Sequence, residues 1–463
     1  MKKMKRLTCI ALAALLLAGC ALGPTARAPD VAPPTAWALN GGDAEPDWAG
    51  LLDPTLAALQ ARALEANRDV KLAALRWQQA QLLAEQSALR WLPSAGVSAN
   101  ASRPLQTQSS TRNVDIGGVT VPVTTSTGWS RSYGASLSAG YELDLWNRLG
   151  HAEAAQRAQA EAARTDIAAA RLVLRSQVAE AYWTLAAIRA QQPLAETQLA
   201  LTRETLVLTN TRVREGKLLP IEADKIAVNV QAAESRLADL AADAQLQRHL
   251  LALLLDEPLP GPAPLADLPV GEPPRWRLAE PADVLARRPD VQRARLGVDA
   301  ALARLRASEA DRYPRLSFSA SVSTGGTRAS DWLAQPLASF ASNLVVPMID
   351  WRRLDLQRDG ARSELDTAAL TLRDTLHKAL ADIETQRIEA QRAAQQFDAN
   401  TGRLKEATET ERLAALRYEV GAIARADWLQ ARSAQLDAEQ NRIRLRLTQW
   451  LRQAALFKSL GGA

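Results

Sequence analysis

The sequence predicts an α+β membrane protein in which four β-strands per chain contribute to an oligomeric β-barrel that very long helices continue. Three observations support this fold class. Four segments alternate apolar and polar residues, as strands with one lipid-facing side do. Two helical stretches run for about 70 residues each. The strand and helix pattern occurs twice, which indicates an internal repeat.

Residues 1–19 have the pattern of a bacterial signal peptide, with a basic start and an apolar stretch too short to span a bilayer. Residues 17–20 read Leu-Ala-Gly-Cys and resemble the lipobox, in which cleavage precedes a cysteine that is then acylated. We therefore expect a lipid on Cys20, and Ala21 in place of an aspartate favours the outer membrane. The alternative is an ordinary secretory signal with a chance cysteine. Residues 20–50, rich in Pro, Ala and Gly, are interpreted as a tether.

Alternation with a period of two places the strands in two hairpins, 93–145 and 314–350. The alternating segments are 95–102, 136–145, 315–324 and, less regularly, 340–348. Each has one apolar face and one serine-rich face, which is typical of a transmembrane β-barrel. Aromatic residues lie at or near the segment ends, as in a membrane girdle: Trp91, Trp129, Tyr133, Tyr141, Trp146, Tyr313, Trp332 and Trp351. Soluble hairpins packed on a core are the alternative, which the export signal disfavours.

The repeat has a constant offset. Residues 146–149 match 351–354, so the offset is 351 − 146 = 205. The pattern Arg-x-x-x-Gly at 212–216 matches 417–421, again with 421 − 216 = 205. Both helices therefore run for 216 − 146 = 70 residues. At about 1.5 Å per residue, each is on the order of 100 Å long.

These patterns divide the chain into two repeats and a linker. The first repeat, 51–256, contains a helix, the hairpin 93–145, the long helix 146–216 and a returning helix. A Pro-rich linker at 257–284, interpreted as an irregular equatorial belt, joins it to the second repeat. The second repeat, 285–457, contains a helix, the hairpin 314–350, the long helix 351–421 and a returning helix, and a tail follows at 458–463.

Four strands cannot close a membrane barrel, which needs at least about eight. Because an open sheet edge in lipid would leave backbone groups unpaired, the chain must oligomerise, and a closed ring is the expected symmetry. Strand count alone permits a dimer or a trimer. Long helices attached to one rim would continue the barrel into the periplasm as a tube, so the architecture predicts a conduit.

Three motifs then resemble one family, the outer-membrane efflux proteins of the TolC/OprM type. They are Tyr141-Glu-Leu-Asp-Leu-Trp146 with Arg148, Arg287-Arg288-Pro289-Asp290 and Lys458-Ser-Leu-Gly-Gly462. The resemblance implies a homotrimer with a twelve-stranded barrel and a periplasmic helical barrel. It also implies two partners, a periplasmic adaptor protein and an inner-membrane pump of the RND type. Such a duct is passive and conducts small toxic solutes that the pump delivers.

The resemblance further implies an aperture at the periplasmic helix tips. The family pattern has a tyrosine three residues before the turn glycine and an aspartate six after it, which are Tyr418 and Asp427 around Gly421. A ring of three carboxylates would select cations. Asp427 is equally well read as a first-turn carboxylate that stabilises the start of a helix, and the two roles can coexist. Gln430 and Ile423 depart from the family pattern, which puts a second acidic ring and the usual gate network in doubt.

The first repeat has an equivalent turn. Arg212, Gly216 and Asp224 occupy it and are interpreted as aperture partners or as solvated tip residues.

Charged residues also mark the junction between strand and helix. Glu142 and Asp144 fall on the polar strand face, where they would line the lumen or bond between strands. The more ordinary interpretation is inter-subunit pairing with Arg148 or Arg353. Residues 287–290 are read as a structural ion cluster in the belt.

Composition excludes several classes. The net charge of +5 includes four basic residues of the signal, which leaves 52 − 51 = +1 and no basic excess for a nucleic-acid partner. Three His and two Cys are scattered, and no phosphate loop, nucleophile elbow or His-Glu-x-x-His motif is present. We therefore expect no enzyme, no metal and no cofactor besides the Cys20 lipid. A type I protein secretion duct remains an alternative, and a coiled-coil scaffold lipoprotein is a weaker one.

Overall fold

The computed structural model describes residues 53–103, 108–127, 131–259, 280–328, 336–347 and 349–462, with the shorter stretches 48, 51, 268–269, 271–274, 276, 330 and 333. The predicted signal peptide, Cys20, most of the tether, part of the linker, Trp129 and Trp332 lie outside the described residues.

The described elements follow the order helices, strands, long helix and returning helix in each half of the chain. They are α1 (Pro54–Ala66), α2 (Arg68–Ala88), β1 (Ser94–Ser102), β2 (Gln108–Ile116), β3 (Val119–Thr127), β4 (Ser132–Leu143), α3 (Arg148–Arg214), α4 (Pro220–Leu254), α5 (Pro281–Arg287), α6 (Pro289–Ala310), β5 (Arg315–Gly326), β6 (Leu337–Val345), α7 (Trp351–Glu419) and α8 (Arg425–Ser459).

Two compact units divide these elements between them. The first holds Gln79–Ala160 and Gly297–Ala369, and the second holds the described parts of Asp30–Gln78, Glu161–Leu296 and Leu370–Ala463. None of the described helices combines the length and the apolar character needed to cross a bilayer.

The first unit contains a four-stranded antiparallel sheet in the order β1-β4-β5-β6. The strand register places apolar residues opposite apolar residues, since Val97 lies opposite Leu137 and Leu137 lies opposite Val322. On the other face serine hydroxyls pair across strands, and the oxygens of Ser98 and Ser136 are 2.8 Å apart. Among the described residues nothing covers the apolar face, and Val97 is 81% exposed.

The four predicted segments form this sheet, and the segment 93–145 contains two further strands that the sequence did not lead us to predict. The additional pair, β2 and β3, forms a separate two-stranded sheet. Gly117 and Gly118 connect the two strands with φ of 66° and 86°. Both values are left-handed conformations that a tight two-residue hairpin turn requires and that glycine adopts without strain.

The long and returning helices lie close to their expected bounds. α3 has 67 residues and α7 has 69, against an expectation of about 70. The returning helices α4 and α8 have 35 residues each.

The hydrophobic core of the second unit is built around the middle of α3. Tyr182 and Trp183 are fully buried there. The Trp183 ring lies 5.5 Å from that of Trp450 in α8, a tilted arrangement favourable for aromatic pairs. The core therefore joins an outgoing helix of the first repeat to the returning helix of the second.

Candidate functional site

The junction between β4 and α3 is organised by the Asp144 carboxylate. Asp144 lies just beyond the last residue of β4, and its two oxygens accept hydrogen bonds from three backbone N–H groups at the start of α3. The donors are Arg148 at 2.7 Å, Leu149 at 2.8 Å and Gly150 at 3.2 Å. First-turn N–H groups have no partner within the helix, so the carboxylate satisfies three of them. Asp144 thus lies at the predicted junction of strand and helix, one residue after the end of β4, where it caps α3.

Glu142 and Arg148 form an ion pair within the chain. Arg148 Nη2 donates to Glu142 Oε1 at 2.7 Å, and Arg148 Nε lies 3.7 Å from a carboxylate oxygen of Asp311. Glu142 lies opposite Ser317 on the polar face of the sheet, as predicted from the alternation. Arg353 pairs instead with Asp350 at 3.3 Å.

Aromatic packing and a strained residue complete the junction. Trp146 Nε1 donates to the Pro314 carbonyl at 2.8 Å, and the Trp146 ring stacks on Tyr313 with centroids 4.7 Å apart. Asn147 has a φ of 58°, a conformation that asparagine tolerates better than most residues. A Cβ on Gly150 would lie 2.0 Å from Asn147 Oδ1 and 3.0 Å from the Trp91 ring, so a larger residue here would require the Asn147 side chain to move.

The helix tips share one turn geometry in both repeats. Gly216 and Gly421 have φ of 71° and 73°. The N–H of each glycine donates to the carbonyl three residues earlier at 2.9 Å, and the next N–H donates five residues back at 2.8 Å. The second of these acceptors in the first repeat is the carbonyl of Arg212, whose side chain is exposed. The turn thus repeats at the same offset as the sequence.

Asp427 stabilises the N-terminus of α8. Its carboxylate accepts from the Ala424 N–H at 3.2 Å, and its own N–H donates to the Ala424 carbonyl at 3.0 Å. This is the local role that the sequence left open beside the aperture role.

The counterpart of Asp427 in the first repeat is Glu222 rather than Asp224. The offset gives 427 − 205 = 222, and the Glu222 N–H donates to the Leu219 carbonyl at 3.0 Å, as Asp427 does to Ala424. Asp224 lies two residues further along and is exposed.

A cluster of charged and aromatic side chains, the tip cluster, links the two helical hairpins of the chain, α3 with α4 and α7 with α8. Its members are Glu204 of α3, Glu411 and Tyr418 of α7, and Arg425 and Trp428 of α8. The Tyr418 and Trp428 rings stack with centroids 5.9 Å apart, and the Arg425 guanidinium lies 5.5 Å and 5.4 Å from their centres.

Polar contacts in the tip cluster centre on Arg425. The guanidinium donates to the Tyr418 hydroxyl at 3.2 Å and forms an ion pair with Glu204. These hydrogen bonds, with Glu204 first, raise the Arg425 pKa further above its ordinary value. Trp428 Nε1 donates to Glu411 at 3.0 Å. Ile423 stands where the family pattern can have an arginine, and the contacts described here centre instead on Arg425, two residues later. Sequence reasoning missed Arg425, because its carboxylate partner is 221 residues away.

No group of three or more His, Cys, Asp or Glu side chains is placed to hold a metal ion within the described part of the chain. The strand-to-helix junction, the tip turns and the tip cluster are built from helix-terminus contacts, ion pairs and aromatic stacks.

Comparison with known proteins gives consistent results over nearly the whole length. The chain is 30% identical to the pyoverdine export outer membrane protein OpmQ of Pseudomonas aeruginosa, with 99% of this chain and 97% of that protein covered. It is 25% identical to the antibiotic efflux pump outer membrane protein ArpC of Pseudomonas putida, covering 99% of this chain and 96% of that protein.

Solved structures show the same fold. The outer-membrane channel OprN superimposes with a TM-score of 0.79 at 23% identity, over 96% of this chain and 99% of that one. The open state of the Neisseria gonorrhoeae MtrE outer membrane channel gives 0.77 at 23% identity, over 94% and 98%. The outer membrane efflux protein family matches residues 59–256 and 281–462. The chain belongs to this family of outer-membrane transport channels, which are not enzymes.

Proposed function

We propose that this chain is the exit duct of a tripartite efflux pump, a homotrimer that passively conducts small toxic solutes across the outer membrane. The observation that carries the proposal is the four-stranded sheet of β1, β4, β5 and β6. It has two free edges, one uncovered apolar face and one face lined with serine. Such a sheet is suited to lipid on one side and water on the other, but only if its edges are paired.

Trimer formation satisfies those edges. Strands β1 and β6 are the edges of the sheet in one chain, and three copies would supply 3 × 4 = 12 strands. The relatives named as outer membrane export or efflux proteins, and the solved outer-membrane channels, resemble this chain over almost its full length and support the proposal of a channel.

The proposed partners are a periplasmic adaptor protein and an inner-membrane pump of the RND type. Exposed apolar residues at the tips of both hairpins support adaptor binding, since Leu219 is 70% exposed and Val420 is 78% exposed. Single exposed aliphatic side chains are ordinary, but several at equivalent turns form a surface that a helical partner would cover.

The proposed location is the outer membrane, with the chain extending into the periplasm. Acylation of Cys20 would anchor the N-terminus to the inner leaflet of that membrane. The proposed lipid, an N-acyl group and an S-diacylglycerol on Cys20, carries more than one acyl chain, so it would anchor the chain stably in addition to insertion of the barrel.

The tip cluster and Asp427 are proposed to form the periplasmic aperture. The ion pair of Arg425 with Glu204 connects the second helical hairpin to the first, and this contact would hold the helix tips in one arrangement. Three copies of Asp427 at the narrowest point would favour cations over anions.

The proposal is tested by single-channel recording of the purified protein in planar bilayers. Asp427→Asn removes the charge and keeps an acceptor for Ala424, whereas Asp427→Ala removes both. We expect cation-selective steps from the wild type and reduced selectivity in both variants. An effect confined to Asp427→Ala would assign Asp427 to the helix terminus alone. The absence of steps from the wild type and from Arg425→Ala, with both correctly folded, would contradict the duct.

A further inference from the structure

In each repeat two consecutive helices are separated by one break residue, and a similar tetrapeptide starts at that residue. Residues 67–70 read Asn-Arg-Asp-Val, between α1 and α2, and residues 288–291 read Arg-Pro-Asp-Val, between α5 and α6. Val70 and Val291 are both buried, so the two breaks are set into the second unit in the same way. They differ in the first residue, which is neutral in one repeat and cationic in the other.

Asn67 binds the end of the first returning helix. Its side chain is 6% exposed, and Nδ2 donates to the Leu254 carbonyl at 3.1 Å. Its Oδ1 accepts from the Asp69 N–H at 2.9 Å, which also stabilises the start of α2. Asn67 thus satisfies one helix start and one helix end with a single amide.

Arg288 binds the end of the second returning helix. Its Nη1 donates to the Ser459 carbonyl and to Asp382 of α7, the latter at 3.1 Å. Asp290 holds the other side of the guanidinium, with Nη2 to Oδ2 at 2.8 Å. The planar guanidinium can serve these three acceptors at once, which the single ammonium of a lysine would do less well.

The two bound carbonyls are equivalent. Leu254 is the last residue of α4 and Ser459 the last residue of α8, and 459 − 254 = 205. The chain leaves both helices through a residue with positive φ, Asp256 at 58° and Gly461 at 87°. A Cβ on Gly461 would lie 3.1 Å from Arg288 Cα, so a glycine is required where the arginine backbone packs against the turn.

We propose that Asn67 and Arg288 are positioning residues, each of which fixes the C-terminal end of the returning helix of its own repeat. We call the contacts Asn67–Leu254 and Arg288–Ser459 the first and second helix-end clamps. Because α4 and α8 have the same length, clamping equivalent carbonyls places the acids of their first turns, Glu222 and Asp427, at equal distances along the helix from the clamped end. A slip of one residue would move a tip by about 1.5 Å, the rise of one helical residue.

The clamps are tested by hydrogen exchange with mass spectrometry on the full-length protein. Arg288→Ala is expected to speed exchange about tenfold in the last turn of α8, with no change in the last turn of α4. Asn67→Asp keeps the acceptor for Asp69 but loses the donor to Leu254. It is expected to give the opposite result, with faster exchange at the end of α4 only.

Two further variants separate positioning from general stability. Arg287→Ala removes an exposed arginine at the adjacent position and should leave both helix ends unchanged. Arg288→Lys should restore part of the protection at the end of α8, because an ammonium can still donate to the Ser459 carbonyl. Equal acceleration at both helix ends, or the same effect from Arg287→Ala, would overturn the proposal.

Discussion

Replacement of Asp144 by alanine tests the interpretation of the strand-to-helix junction most directly. The substitution leaves three N–H groups of α3 without the carboxylate that accepts from them at 2.7, 2.8 and 3.2 Å. Loss of a helix-capping side chain costs about 1–2 kcal/mol. Loss of a negative charge at a helix N-terminus costs a further ~0.3–1 kcal/mol. We therefore expect the first turn of α3 to lose about 2 kcal/mol of local stability.

The assay is hydrogen exchange of the peptide that covers the first two turns of α3. Since about 1.4 kcal/mol corresponds to tenfold, exchange in Asp144→Ala should be about 30-fold faster than in the wild type. Asp144→Asn keeps one acceptor oxygen and loses the charge, so its exchange rate should lie between the other two.

Asp350→Ala is the matched control at the start of α7. Asp350 forms a 3.3 Å ion pair with Arg353 in which both side chains are about 60% exposed. Pairs of this exposure contribute little, so we expect less than a threefold change in exchange at that helix start. Unchanged protection of α3 in Asp144→Ala, or an equal loss in both alanine variants, would refute the capping role.

Three further predictions concern the tips and the second clamp. Arg425→Ala should increase the open time of single channels, because it removes the tie to Glu204; an unchanged open time would exclude that tie as a constraint. Gly421→Ala should destabilise the tip turn by about 1 kcal/mol, because its φ is 73°. Gly360→Ala, inside α7 with no atom within 4 Å, should instead stabilise the protein by about as much, and melting temperatures compare the two. Burial raises the Asp290 pKa, but Arg288 outweighs it and holds that pKa below its usual value. Its contribution is therefore fully present above its ordinary pKa of about 4 and is lost as the pH falls through the lowered pKa, so Asp290→Asn should lower the melting temperature more at pH 7 than at pH 3.

Elements with a strong period could be predicted from the sequence. The alternation that predicts β1 and β5 also fixes their register, because a slip of one residue would exchange the two faces. The hairpin of β2 and β3 was missed although its signal is present. Gly117 and Gly118 directly precede a stretch rich in Val and Thr at 119–127, and such a glycine pair indicates a two-residue turn.

Individual side-chain partners could be predicted only when they are close in the chain. The capping role of Asp427 follows from its position three residues into a helix. The pairing of Arg425 with Glu204 depends on how two helical hairpins that are distant in the chain pack together, and this packing cannot be predicted from a single sequence. Asp144 was placed at the junction of strand and helix, but its capping of α3 was not predicted, because the end of a strand is uncertain by one or two residues in any sequence-based assignment.

The two repeats have the same backbone geometry but different side-chain chemistry. The tip glycines and the helix ends repeat at one offset, with hydrogen bonds of nearly equal length. In the first repeat, however, the clamp is a buried neutral amide, whereas in the second repeat Arg288 lies among carboxylates. Position 220, the counterpart of Arg425, is a proline and cannot form an ion pair. Substitutions that act through the backbone should therefore have similar effects in the two repeats. Salt or acid should weaken the contacts between Arg288 and its carboxylate partners more than the neutral hydrogen bond between Asn67 and Leu254, since charge–charge attraction is screened by salt and lost on protonation, whereas a neutral hydrogen bond is not.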